Sequence, residues 1–298
     1  MTPLFDGSGV ALVTPFRAGG VNERVLAELA EFQIVEGTEA IVVCGSTGEA
    51  ATMSADEQAR VVAVAVEAAA KRVPVVAGAG GSDTAAVSQL ARNAQRAGAD
   101  ALLISAPPYN KPTQRGMVAH YRAVMAAGKL PAIIYNVPSR TSCNILPETV
   151  EEIASDPQVV GVKEASGDIS QMAELCRRLA DRVAIYSGND DQVIPLLALG
   201  GRGVISVIAN IAPRDTSRMV HLFLDGRIEE ARELQFRYLP LAKALFSEPN
   251  PVPVKAAVKA LGFDVGGVRL PLLEISDAGM ALVRERMAEV GISARVGV

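Results

Sequence analysis

Short runs of β-branched and other apolar residues recur along the chain, each followed by a longer stretch in which apolar residues return every three or four positions. Runs of the first kind, bounded by Gly or Pro, read as strands buried on both faces, and the longer stretches read as amphipathic helices. The first pair is a strand over 9–13 and a helix over 22–35. A strand over 40–44 precedes a helix over 55–71 with Ser54 as its cap, and a strand over 73–77 precedes a helix that Asp83 opens and Gly98 closes. Strands over 101–105 and 131–135 lead to helices over 113–127 and 146–154. The strand begun at Val159 leads to a helix over 169–181, and strands over 183–187 and 203–207, with helices over 191–199 and 213–225, complete the series.

Strand and helix thus alternate eight times, the count for a closed parallel barrel. An open doubly wound sheet shares the alternation, but it usually has fewer strands, and no dinucleotide fingerprint follows the first strand here. From Arg227 onward the pattern is wholly helical, over 228–246, 252–261 and 276–289. The expected fold is α/β: a (β/α)8 TIM barrel over 1–226 with a C-terminal helical appendage over 227–298.

One position departs from the strand pattern. Lys163 stands near the end of the apolar run Val159-Val160-Gly161-Val162, where period-two alternation puts Gly161, Lys163 and Ala165 on one face. Burial disfavours an ammonium and lowers its pKa, and a shift of roughly three units would poise the amine for Schiff-base chemistry. A lysine snorkelling at a strand end, or paired with a carboxylate, reads the same way at this point.

Composition narrows the partners. The chain has 298 residues, 49% of them hydrophobic, a net charge of -4 and a pI near 5.4, with no basic run to attract nucleic acid or an anionic membrane. Three widely spaced cysteines and two histidines outside any Cys-x-x-Cys pattern argue against structural zinc and a disulfide framework. The first residues lack a basic segment followed by an apolar one, and no apolar run has membrane-spanning length, so a cytoplasmic protein is expected.

In a barrel of this kind the chemistry belongs on the loops after the strands. The unusual segments fall there: Gly45-Ser46-Thr47-Gly48-Glu49 after the second strand, Tyr109-Asn110 after the fourth, Tyr135 to Arg140 after the fifth, and Ser187-Gly188-Asn189-Asp190 after the seventh. The Ser46–Thr47 turn offers hydroxyls and backbone N–H groups to a carboxylate. Tyr135 shares the inward parity of Ile133 and can relay protons toward Lys163. Arg140 can grip a carboxylate by a two-pronged contact. Each has a plain reading as a tight turn, a rim tyrosine or a solvated arginine. Gathered on one rim around a lysine, they point to a carbonyl-condensing enzyme for carboxylate substrates.

On these segments, together with Gly161-Val162-Lys163-Glu164-Ala165 and Glu248-Pro249-Asn250-Pro251, the chain resembles the dihydrodipicolinate synthase branch of the pyruvate-dependent, class I aldolase-like lyases. The resemblance spans nearly the whole chain. It implies that Lys163 forms an imine with pyruvate and that the derived enamine attacks L-aspartate 4-semialdehyde, the opening step of diaminopimelate and lysine biosynthesis. It further implies that Tyr135, Ser46 and Tyr109 pass protons, with Tyr109 lent by a neighbouring subunit. Thr47 would bind the pyruvate carboxylate, Arg140 that of the semialdehyde, and the backbone at Gly188 and Ile205 would line the pocket. No metal or organic cofactor is expected, since the covalent imine on Lys163 is the electron sink, and a homotetramer is expected as a dimer of dimers. The family commonly has threonine where this chain has Ser46, a change that keeps the hydroxyl. Sister enzymes acting on sialic acid or 2-keto-3-deoxy sugar acids share the lysine and tyrosine but typically lack the Pro-Ser-Arg turn. A non-catalytic carboxylate-binding barrel is the alternative from another class.

Feedback-inhibited members of the family bind L-lysine at a dimer-interface cleft through histidine, asparagine, glutamate and tyrosine side chains. Aligned motifs place Ala55, Gln58, Ser82, Ala86 and Pro108 there. Ala86 supplies no counter-charge for an ammonium, so little or no lysine inhibition is expected unless a shifted ligand recruits another acid such as Glu49.

Overall fold

A computed structural model describes residues 3–293. The first two residues, and the last five of the expected C-terminal segment, lie outside that range. Eight strands form the barrel: β1 (Gly7–Ala11), β2 (Ala40–Val43), β3 (Val75–Ala79), β4 (Ala101–Ser105), β5 (Ala132–Asn136), β6 (Val159–Glu164), β7 (Ala184–Ser187) and β8 (Gly203–Ser206). Every neighbouring pair is parallel, and β8 closes the ring against β1.

The helices start where the capping residues stand. Ser54 accepts from the backbone N–H of Glu57 while the Glu57 carboxylate accepts from that of Ser54, a closed box that fixes the start of the helix Ala55–Ala69. Asp83 and Thr113 cap Thr84–Arg96 and Gln114–Gly128 in the same way on one side. Most elements fall within two residues of the sequence expectation. Two strands are displaced by the full two residues: the first runs from Gly7 rather than Gly9 and the third from Val75 rather than Val73, and past Ala11 the chain turns into a hairpin that pairs Phe16 with Val21. That hairpin has no apolar alternation to announce it.

Inside the barrel, Val42, Val76, Leu103, Ile133, Tyr135, Tyr186 and Ile205 form a packed interior. Its floor is closed by Phe5 stacked on Tyr186 at 4.3 Å, with the Tyr186 hydroxyl donating to the Phe5 carbonyl at 2.7 Å. A second, larger hydrophobic layer lies between strands and helices and continues into the C-terminal helices Ile228–Ala244, Val252–Ala260 and Asp277–Glu289 through Leu241, Val254, Val258 and Val283. The loop between the first two of these helices lines the barrel mouth with residues 246–250. No helix among the described residues is long and apolar enough to cross a membrane.

Candidate active site

The register of β6 decides where its lysine points. A bulge lies where Ala132 faces Val159 but Ile133 faces Gly161, so one residue of β6 is extra. Beyond it the pairing is regular, Tyr135 opposite Lys163 and Lys163 opposite Tyr186, and Lys163 faces the barrel interior. Valines 159 and 162 fill the outer layer.

Lys163 is 5% exposed. Among the described residues it makes no ion pair, and its Nζ lies 4.5 Å from the centre of the Tyr135 ring. Burial pulls the amine down to about 8; the Asp190 carboxylate pushes the other way, and the Arg140 charge adds to the lowering. At pH 7 about one such amine in ten is neutral, against roughly one in three thousand at the unshifted value. The room beside it comes from small residues. A Cβ on Gly188 would sit 2.6 Å from the Ala165 Cβ and 3.1 Å from the Lys163 Cε, so only glycine lets this loop pass so close.

A cavity of about 500 Å³ opens above the lysine. Ser46, Thr47, Tyr135, Arg140, Lys163 and Gly188 all line it, which brings six of the eight sequence-expected residues together. Burial pushes the Tyr135 phenol up to about 12, against the nearby Arg140 charge and a hydrogen bond with Ser46, so it stays protonated at neutral pH. Thr47 is buried, and its Oγ1 accepts from the Asn250 Nδ2 at 3.0 Å, which leaves the hydroxyl proton to point at a ligand. Arg140 stands exposed at the mouth on the one-turn helix Pro138–Thr141, its Nη2 donating to the Asn250 carbonyl at 3.4 Å.

The other two residues sit elsewhere. Ile205 is fully buried in the barrel interior, and at β8 the cavity wall is the next inward residue, Val207. Tyr109 does not reach the cavity of its own chain: it is 88% exposed, with a φ of +69° that a non-glycine residue adopts at a cost. Glu49, considered above as a spare acid for a ligand, is already committed. Its carboxylate is buried against Lys255 at 2.6 Å.

Sequence reading missed two contributors. Asn250 reaches both Thr47 and Arg140, and the only local sign was its setting between prolines in Glu248-Pro249-Asn250-Pro251. Asp190 is a buried carboxylate fixed by the Ser206 hydroxyl at 2.5 Å and the backbone N–H groups of Val207 and Ile208 at 3.0 and 3.1 Å. Burial raises its pKa, while those hydrogen bonds and the Lys163 charge oppose the rise. Its charge, where present, raises the Lys163 pKa, and among the described residues the two form no ion pair.

The chain matches the Dihydrodipicolinate synthetase family over residues 4–289. It is 52% identical over 291 residues to the 4-hydroxy-tetrahydrodipicolinate synthase of Thermoanaerobacter pseudethanolicus, covering 97% of this chain and 98% of that one. Its fold superimposes on the dihydrodipicolinate synthase of Aquifex aeolicus with a TM-score of 0.95 at 40% identity, covering 98% of this chain and all of that one. The chloride-inhibited enzyme of Acinetobacter baumannii, solved with pyruvate, gives a TM-score of 0.93 at 39% identity over 96% of this chain and 99% of that one. With a family match over nearly its whole length and a relative more than half identical, the chain belongs to the dihydrodipicolinate synthetase family.

Proposed function

We propose that this enzyme joins pyruvate to L-aspartate 4-semialdehyde through an imine on Lys163, giving 4-hydroxy-tetrahydrodipicolinate. The observation that carries this reading is a buried lysine that makes no ion pair among the described residues, its Nζ 4.5 Å from the Tyr135 ring centre in a cavity with an arginine at its mouth. The neutral amine attacks C2 of pyruvate and water leaves, so C2 becomes an iminium carbon. That cation draws electrons from C3, which loses a proton to give the enamine. C3 then attacks the aldehyde carbon, and the aldehyde oxygen takes a proton. The substrate's own amino group attacks C2, expels Lys163 and closes the ring. No metal or organic cofactor is called for, since the iminium itself accepts the electrons.

The Tyr135 phenol, protonated at neutral pH and in contact with Ser46, is placed to give and take these protons. Thr47 offers its hydroxyl to the pyruvate carboxylate. Arg140, at the rim, suits the carboxylate of the second substrate. Tyr109, exposed and held in a left-handed backbone, fits a role in the cavity of a second copy, completing the relay there. Arg140 also favours a short carboxylate-bearing aldehyde over the long polyol of a sialic acid.

Steady-state kinetics with both substrates test the proposal. Saturable turnover of L-aspartate 4-semialdehyde with pyruvate is expected, with no pyruvate released from sialic acid. Pyruvate release from sialic acid without turnover of the semialdehyde would overturn it.

A further inference from the structure

The turn that carries Ser46 and Thr47 is held from outside the barrel. Glu49, two residues past Thr47, has a left-handed φ of +53°, and its backbone N–H donates to the Ser46 carbonyl at 3.1 Å, so its placement fixes the turn. Its Oε1 accepts from the Lys255 Nζ at 2.6 Å and its Oε2 from the Arg269 backbone N–H at 3.0 Å. The two charged side chains are 3% and 1% exposed. Lys255 belongs to the helix Val252–Ala260, and Asn250, the donor to Thr47, lies in the loop two residues before that helix begins. One C-terminal helix and the loop that leads into it therefore grip the turn at two points, on either side of Gly48.

A buried ion pair is a poor way to stabilise a fold, because apolar residues of the same volume serve as well or better. What it does supply is direction: a carboxylate and an ammonium hold one geometry where two apolar groups can slide. We propose that Glu49 and Lys255 are a positioning pair that sets the Ser46–Thr47 turn for the carboxylate of pyruvate. This rests on the assignment of Thr47 to pyruvate above.

The test uses Glu49→Gln, Lys255→Met and the double variant, with thermal melting, KM for each substrate, kcat, and borohydride trapping of pyruvate on Lys163. Each single change is expected to raise KM for pyruvate about tenfold while KM for the semialdehyde stays within about twofold. Lys255→Met leaves a lone buried charge and should also melt earlier. The double variant carries neither charge, so its melting temperature should return toward that of the parent while its pyruvate KM stays high. A double variant that recovers pyruvate KM together with stability would show that the pair acts through folding alone and overturn the proposal. Single variants with unchanged pyruvate KM would overturn it too. If the pyruvate chemistry itself were misassigned, the parent enzyme would trap no pyruvate, an outcome separate from both.

Discussion

Two lysines are buried in this molecule in nearly the same way. Lys163 lies over the Tyr135 ring and Lys255 over the Phe16 ring, at 4.5 and 4.1 Å, and burial is the main force lowering the pKa of each. They differ in their partners. Lys255 has the Glu49 carboxylate at 2.6 Å, whereas Lys163 makes no ion pair among the described residues and feels the more remote Asp190, whose oxygens are occupied by Ser206 and two backbone N–H groups. A carboxylate in contact keeps an ammonium charged and its lone pair unusable; burial without contact frees the lone pair. Burial alone therefore does not mark a nucleophile. The missing partner does.

The largest expected effect follows directly. Lys163→Ala and Lys163→Arg should abolish turnover, by roughly a thousandfold or more, since arginine never offers a neutral nitrogen near pH 7. Lys255→Met should still form the pyruvate adduct at saturating pyruvate, and its main loss should be in stability, about 3–5 kcal/mol by denaturant titration, because Glu49 is left buried without its partner. Equal loss of adduct in both variants would erase the distinction.

Arg140→Ala should come next. Loss of a charge-assisted contact worth about 1.5–3 kcal/mol predicts a rise of roughly ten- to a hundredfold in KM for the semialdehyde, with little change in pyruvate trapping at alkaline pH, above the Lys163 titration. Similar damage to both steps would mean that Arg140 serves the structure, not the second substrate.

The pH dependence sharpens the contrast further. Trapping at Lys163 requires the neutral amine, so its rate should rise with pH and level off above about 8. Arg140 lowers this pKa and Asp190 raises it, so Arg140→Ala should move the rise to higher pH and Asp190→Asn to lower pH. Stopped trapping reactions between pH 6 and 10 read this out. Shifts of the opposite sign would place the titrating group elsewhere.

The smallest expected effect is none. At the positions that the resemblance assigns to a lysine ligand, Ala86 is an exposed alanine, and the Gln58 side-chain amide donates to the Ala50 and Met53 carbonyls at 3.1 and 3.3 Å. Glu49 is held by Lys255. Initial rates at subsaturating pyruvate should be unchanged by L-lysine up to ~10 mM, the weak end of specific binding. Partial inhibition at sub-millimolar lysine would reveal a cleft built from other residues.

Much of this was legible in the chain, for physical reasons that differ from residue to residue. The barrel strands announce themselves because both their faces are buried and the runs are apolar throughout. Ser54 and Asp83 mark helix starts because a cap is a local hydrogen bond. Lys163 and Tyr135 could be placed on the inner face because the bulge of β6 falls before Gly161 and leaves the later parity intact. Contacts made across the sequence left no such trace. Asn250 meets Thr47 across 203 positions and Lys255 meets Glu49 across 206, and neither helix period nor strand alternation carries that information. Asp190 was visible as an acid after a strand, but its neighbours Ser206 and Val207 come from the next βα unit.

The contrast between the two lysines is tested most directly by incubating the protein with pyruvate and borohydride and locating the reduced pyruvyl group by peptide mass spectrometry. The adduct should fall on the peptide containing Lys163 and on no peptide containing Lys255, and it should vanish in Lys163→Arg. An adduct on another lysine, or one that persists in Lys163→Arg, would contradict the account.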